Sequence, residues 1–375
     1  MAEIEFFEEQ LEGSKIKTRI VTSYFYKWAK VMIPLVKGKG DKIGYLDFFC
    51  GPGRYKDGSS STPLLILESA LQNEEMKKML VTLFNDQEKD NIDQLQKEIN
   101  DLKNIQQLKY KPIIMQDTVG DDIVKKLSEM VLIPSLIFID PFGYKGLTLD
   151  LIASVIKDWG CDCIFFFNYN RINAAITNPY MNDHVNMIFG IETANFLRNE
   201  VKKLDAKKRE DLILNCFKKE LKKVRGEYSI SFKFYQEEVN KTSHFIFFTA
   251  KHPLGYHFMK QTMADNCNTI GGVPSYEFNP NDRRKSNQVV LFSEDNFAIK
   301  DLALELSSLY KGQTLTRKEI YEAHNIGKPY IEPNYKEALL ILEETNKVLI
   351  TPSADKRKKI KGKLTLGENI PIKFL

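Results

Sequence analysis

Over residues 15–35 apolar side chains recur at helical spacing, which predicts one leading helix that packs on whatever follows. From 44 to 170 the pattern changes to short apolar runs alternating with amphipathic stretches. The runs fall at 43–49, 79–84, 112–115, 135–139 and 163–167, and each ends in polar residues. Continuous runs of this length suit strands buried on both faces of a parallel sheet. Helix-spaced residues at 87–102 and 149–157 fill two of the gaps. A charged helical region rich in lysine covers 194–225, and two strand-like runs follow at 229–239 and 244–250, joined by the polar turn 240–243. Residues 274–287 are rich in proline, asparagine and charge, the pattern of a linker. Beyond them, 297–310, 316–324 and 334–345 have helical spacing, and an apolar run at 348–351 leads into a basic ribbon at 356–363 and a short run at 364–366.

These elements predict an α/β fold, Rossmann-like, with a mostly parallel sheet of seven strands. A hairpin after five α/β strands is how the sheet of class I methyltransferases closes, with its last strand antiparallel. Three short helices followed by a hairpin predict a C-terminal winged helix-turn-helix. The expected domains are 1–287, carrying the basic helical insertion, and 288–375.

Composition narrows the class. With 375 residues, 43% of them hydrophobic, the chain is long enough for two or three cored domains. Lys and Arg number 54 against 50 Asp and Glu, so the placement of charge matters more than its +4 total. No apolar run approaches the roughly 20 residues that span a bilayer, and the first twelve residues are acidic rather than signal-like. Five scattered cysteines (Cys50, Cys161, Cys163, Cys216, Cys267) suit reduced thiols in a cytoplasmic protein and form no metal-ligand pairs. The five histidines have no metal spacing either.

The chemistry is carried first by residues 47–53, D-F-F-C-G-P-G, at the end of the first apolar run. Glycines at 51 and 53 let a backbone approach a ligand where a Cβ would clash. A phosphate-binding P-loop needs a Gly-Lys-Ser/Thr ending that is absent, and a dinucleotide loop needs a third glycine where Lys56 stands. What remains resembles the first motif of class I S-adenosylmethionine (SAM) methyltransferases. That resemblance implies that Asp47, Phe49, Gly51 and Gly53 lie against the methionine part of SAM, with Asp47 near its amino group.

Later strand ends extend the reading. Asp86, with Glu88 in reserve, is placed to accept from the ribose hydroxyls, although Asn85 or Asp86 would equally cap a helix. Asp117 is placed to meet the adenine amine, or to cap a helix beginning near Gly120. The fourth run ends in D-P-F-G-Y at 140–144, which resembles the [DNS]-P-P-[YFW] loop of methyltransferases acting on base amines. There Asp140 would accept from an exocyclic amine while Phe142 or Tyr144 stacks on the base. The second proline is replaced by Phe142, and a D-P-F-G loop is also similar to that of tRNA guanosine-N2 methyltransferases. Residues 168–171, N-Y-N-R, close the fifth run at the same edge. Cytosine C5 chemistry is set aside, because no cysteine follows Pro, Ser or Thr.

Taken in order, residues 15–29, 45–58 with Thr62-Pro63-Leu64, 140–143, 245–263 and 336–350 resemble the three-Cys-motif partner (TcmP) family. The resemblance covers most of the chain and implies a methyltransferase fold with a winged-helix tail and a separate three-Cys-motif partner protein. In the tail, Lys356, Arg357, Lys358 and Lys359 form the core of a ribbon suited to nucleic-acid phosphates, and 202–209, 218–225 and 283–285 would extend it. Three readings therefore compete: a methyltransferase acting on a nucleobase amine in DNA or RNA; a SAM-fold scaffold that recruits a partner to nucleic acid; and a methyltransferase of small molecules or proteins.

Overall fold

The computed structural model describes residues 12–141, 146–237, 239–283, 297–360 and 362–375. They fall into two compact units, residues 1–266 with 278–281, and residues 267–277 with 282–375.

The first unit is built on a sheet with strands β1 (Ile43–Asp47), β2 (Leu80–Asp86), β3 (Ile113–Gln116), β4 (Ser135–Ile139), β5 (Asp162–Phe167), β6 (Tyr228–Tyr235) and β7 (Thr242–Ala250). Their spatial order is β3-β2-β1-β4-β5-β7-β6, with the two-residue strand Glu277–Phe278 beside β6. Neighbours from β3 to β5 pair in parallel, and β7 runs antiparallel to both β5 and β6. This is the class I methyltransferase arrangement expected from the sequence. The order reverses at β1 and β4, and in open α/β sheets the crevice at such a switch point, beyond the strand C-termini, is where ligands sit.

Helices cover both faces. Helix α1 (Glu12–Val36) lies on one, burying Ile20, Tyr24, Trp28 and Val36 among others. Its Tyr24 ring meets Phe248 of β7 edge-on at 4.8 Å, and its Phe25 ring meets Tyr45 of β1 at 5.5 Å. Helix α2 (Thr62–Leu71) follows the glycine loop, α3 (Lys89–Asn100) follows β2, α4 (Asp121–Glu129) follows β3 and α5 (Leu149–Ile156) follows β4. Between β5 and β6 stand α6 (Tyr169–Ile176), α7 (Asn182–Phe189), α8 (Ile191–Glu200) and α9 (Ala206–Lys223). Their apolar sides close a core around Phe165, Phe167, Phe217 and Phe247. Several lysines of this insertion face acids one turn away: Lys203 with Glu200, Lys208 with Asp205 and Lys223 with Glu220. Helix α10 (Pro253–Ala264) returns from β7 and packs on α1. Among the described residues no helix is long and apolar enough to cross a membrane.

At the strand-start end of the sheet, opposite the switch-point crevice, a cavity of about 520 Å³ opens, lined by Trp28, Met32, Leu35, Trp159, Leu254 and Phe258 among others. Asp162 is buried at its floor, accepting a hydrogen bond from the Tyr24 hydroxyl at 2.6 Å.

The second unit packs α11 (Phe297–Leu309), α12 (Arg317–His324) and α13 (Glu332–Glu344) around Leu302, Leu306, Ile320, Tyr335 and Leu339. Helix α12 begins with a capping box in which Thr316 and Glu319 satisfy each other's backbone N–H. Here the strand pairing departs from the expected hairpin. Strand β9 (Val348–Ile350) pairs with the terminal strand β10 (Pro371–Phe374), and β10 also pairs with β8 (Thr314–Thr316). Lys359–Ile360 and Lys363–Leu364 form only a two-residue ladder of their own. The alternation of buried Ile372 and Phe374 with exposed neighbours sets this pairing, a period too short to stand out in the sequence. Residues 284–287 of the expected linker lie outside the described residues.

Candidate functional site

The site is assembled at the C-terminal edge of the sheet, where β2, β1, β4 and β5 end side by side. The first component is the loop after β1. Gly51 and Gly53 take φ of 64° and 88°, a region open chiefly to glycine, and a Cβ on Gly53 would come 2.8 Å from Leu95. The loop is stitched to the end of β2: Cys50 N–H donates to the Asn85 carbonyl at 3.0 Å, and Gly51 N–H donates to Asp86 Oδ2 at 2.9 Å. Phe49, half-buried, packs on the loop after β4, where a Cβ on Gly146 (φ 94°) would sit 2.7 Å from its ring. The glycine loop and the loop bearing Asp140 therefore touch. Cys50 is buried, and burial pushes its thiol far up, which leaves it a small apolar residue rather than a nucleophile.

Asp47 is 1% exposed. Its Oδ1 accepts from Phe49 N–H at 3.2 Å and its Oδ2 from the Tyr45 hydroxyl at 3.4 Å. Burial raises its pKa to about 8; the Phe49 N–H opposes this, and the nearby Asp140 and Asp86 add to it. A buried carboxylate in that state gains from a cationic neighbour.

Asp86 holds a more structural position than expected. It is buried, and besides Gly51 it accepts from Glu88 N–H at 2.9 Å and Asn91 Nδ2 at 3.2 Å. It thus ties the glycine loop to the start of α3. Glu88, two residues on, is exposed. Asn85 does not cap α3: its Nδ2 donates to the carbonyls of Phe48 and Asp117, and its Oδ1 is buried without a partner among the described residues. Asp117 accepts from Thr118 N–H at 2.9 Å, and the N-cap of α4 is Gly120, with no side-chain capping bond.

Asp140 follows β4 directly. Its Oδ2 accepts from the Lys17 ammonium at 2.5 Å, with side-chain exposures of 20% and 8%. Phe142 and Tyr144, the expected stacking rings, lie outside the described residues. Other rings stand close by. Lys17 lies over the Phe166 ring at 5.5 Å, Phe166 meets the His244 ring at 4.5 Å, and His244 stacks on Phe234 at 4.6 Å with 12° between planes. Burial, with the Lys17 charge adding to it, holds His244 down to about 3, so the imidazole is neutral. Asn168 serves as the cap of α6, accepting from Arg171 N–H at 3.2 Å.

Sequence reasoning missed Lys17 and His244. The signal for Lys17 was available, because it falls on the apolar stripe of α1 with Ile20, Val21, Tyr24 and Trp28, where an unpaired ammonium would not be tolerated. His244 carried no signal, since only the meeting of β5, β6 and β7 gives it partners.

In the second unit the basic ribbon separates by residue type. Lys356, Lys358 and Lys359 are exposed. Arg357 corrects the expectation: it is buried, ion-paired to Glu343 of α13, and donates to the Thr365 carbonyl at 3.2 Å. Arg317 is likewise buried and pairs with Glu332 at 2.7 Å. Guanidinium suits such internal forks better than ammonium, which leaves the lysines for solvent. Replacing Arg357 with alanine leaves the partly buried Glu343 carboxylate without its cation and is expected to destabilise this unit by about 2–3 kcal/mol. A loss below 1 kcal/mol in a denaturant titration would contradict the anchoring role.

Residues 275–355 match the family described as GMT-like wHTH domain. No curated protein matches the chain. Among solved structures, one described as a modification subunit of a type I restriction enzyme from Vibrio vulnificus YJ016 is similar at 14% identity and TM-score 0.32, over 62% of this chain. The chain spans 44% of that subunit's length. One described as a methyltransferase from Streptococcus mutans in complex with SAH is similar at 10% identity and TM-score 0.28, over 59% of this chain and 96% of that one. One described as an rRNA-methylase from Clostridium thermocellum is similar at 11% identity and TM-score 0.29, over 59% and 95%.

Proposed function

We propose that this chain is a SAM-dependent methyltransferase acting on an exocyclic amine of a nucleobase in DNA or RNA. The observation that carries the reading is one juxtaposition: a positive-φ glycine loop stitched to Asp86 lies against the loop of Asp140, at the switch point of the sheet. Residues at the loop fit the cofactor. Asp47 offers a buried carboxylate that gains from the cofactor's ammonium, and Asn85 Oδ1 is an acceptor still without a partner among the described residues. Asp86 supports the loop, and the exposed Glu88 takes the ribose hydroxyls that Asp86 was expected to bind. Asp117 would meet the adenine amine. When bound, SAM supplies an electrophilic methyl group whose transfer leaves S-adenosylhomocysteine. The chain's own part is positioning: Asp140 accepts from the acceptor amine, aligns its lone pair and passes its released proton to solvent.

Lys356, Lys358 and Lys359 would grip phosphates of the nucleic acid, and Arg357 would hold the ribbon in place. Replacing the three lysines with alanine is expected to lower the slope of log affinity against log salt by up to about 3. An unchanged slope would remove the ribbon from the interface. The resemblance to the TcmP family adds a three-Cys-motif protein as a partner of this complex.

Calorimetric titration with SAM tests the cofactor site. Micromolar binding by the wild type is expected, with loss in Gly51→Asp, where φ 64° disfavours any side chain, and in Gly53→Ala, whose Cβ would displace Leu95. A folded wild type that binds no SAM would refute the reading and leave the scaffold alternative.

A further inference from the structure

The partly buried ion pair at the acceptor loop carries an inference that rests on the proposed function and deepens it. We propose that Lys17 is a positioning residue, fixing the Asp140 carboxylate so that one oxygen is held and the other is presented to a neutral acceptor amine.

Asp140 lies just past the last residue of β4 and before Pro141, so its backbone is outside the strand ladder. The bond from Lys17 Nζ at 2.5 Å is made to Oδ2, and among the described residues Oδ1 has no hydrogen-bond partner. A carboxylate fixed through one oxygen presents the other in one direction, which is the requirement for aligning an amine lone pair.

Lys17 is itself immobilised. Its stem is buried on the sheet-facing side of α1, and its head rests over Phe166, the first of three rings contributed by β5, β7 and β6. The middle ring, His244, is neutral, so it adds no second positive charge. Helix α1 is therefore bonded to the acceptor carboxylate by a rigid cation rather than by apolar packing alone.

The pair also bears on the acceptor. Asp140 already carries one ammonium, so its second oxygen is matched to a neutral amine that needs only an acceptor, as a nucleobase amine does.

The test is a double-mutant cycle on the full chain with Lys17→Met, Asp140→Ala and both. Its readouts are kcat and KM for labelled methyl transfer to DNA and RNA oligonucleotides, SAM Kd by calorimetry, and thermal unfolding. Lys17→Met is expected to lower kcat about 100-fold through misplacement of the carboxylate, with SAM Kd little changed. In the Asp140→Ala background, where no side-chain oxygen is left for Lys17 to hold, the same substitution is expected to add nothing, because Lys17 acts through Asp140. Losses that multiply, an unaltered kcat, or lost SAM binding in Lys17→Met would each overturn the role of Lys17 while leaving the proposed function standing. If Lys17→Met does not fold, Lys17→Arg and Lys17→Gln decide: an active Arg variant beside a weak Gln variant supports the role, and equal activity overturns it. A wild type that methylates no oligonucleotide overturns the proposed function and this inference together.

Discussion

Replacing Asp140 with alanine is expected to lower methyl transfer about 100–1000-fold, the cost of losing one fixed hydrogen-bonding group aimed at a reacting atom. SAM affinity is expected to stay within a few fold, since the glycine loop is tied to β2 through Asp86 rather than to Asp140. The substitution leaves the buried Lys17 ammonium without its carboxylate, so some stability is lost as well. For that reason Asp140→Asn, which keeps an acceptor oxygen near Lys17, belongs beside it. Rates measured at saturating SAM separate the two sites. Parallel loss of rate and SAM affinity would mean that Asp140 belongs to the cofactor site, and the division of labour between β1–β2 and β4 would fall.

The second large effect lies at the other end of the sheet and concerns stability alone. Burial raises the pKa of Asp162 to about 7 from 3.8, against the opposing pull of the Tyr24 hydroxyl and of Lys251. The folded chain thus holds this proton more tightly than the unfolded chain does. The stabilising contribution is complete below about pH 4 and disappears as pH rises through 7. Asp162→Asn removes the titration while keeping an oxygen to accept from Tyr24. The stability of the variant relative to wild type is expected to rise by up to about 4 kcal/mol between pH 4 and pH 8. Melting curves of both proteins across that range measure it. A constant gap would show that the carboxylate is ionised in the fold without penalty.

Much of the sheet was legible in the sequence because its strands are buried on both faces. The run 163–167 has no polar residue and 135–139 only the buried Ser135 at its start, and their ends coincide with β4 and the end of β5. The glycine loop was legible for a different reason, as its spacing excludes two other loops. What could not be read was pairing at a distance. Nothing local distinguishes Asp86 as the partner of Gly51 N–H, or marks the ribbon's Arg357, alone among four basic neighbours, as the partner of Glu343. Lys17 and Asp140 are separated by 123 residues and meet only because α1 runs along the sheet face with its first turns beside the end of β4. Charge runs read from sequence count residues, whereas the fold sorts them into those that face solvent and those that hold helices.

The chain has two tryptophans, and both Trp28 and Trp159 line the cavity at the strand-start end of the sheet. Trp28 is buried at 4% exposure and Trp159 is open at 60%. Intrinsic fluorescence therefore observes the far end of α1 and is blind to the glycine loop and to Asp140. A substitution at Gly51, Lys17 or Asp140 that leaves the tryptophan emission intact has left the far end of α1 packed, so this chain carries its own optical control against unfolding of the first unit.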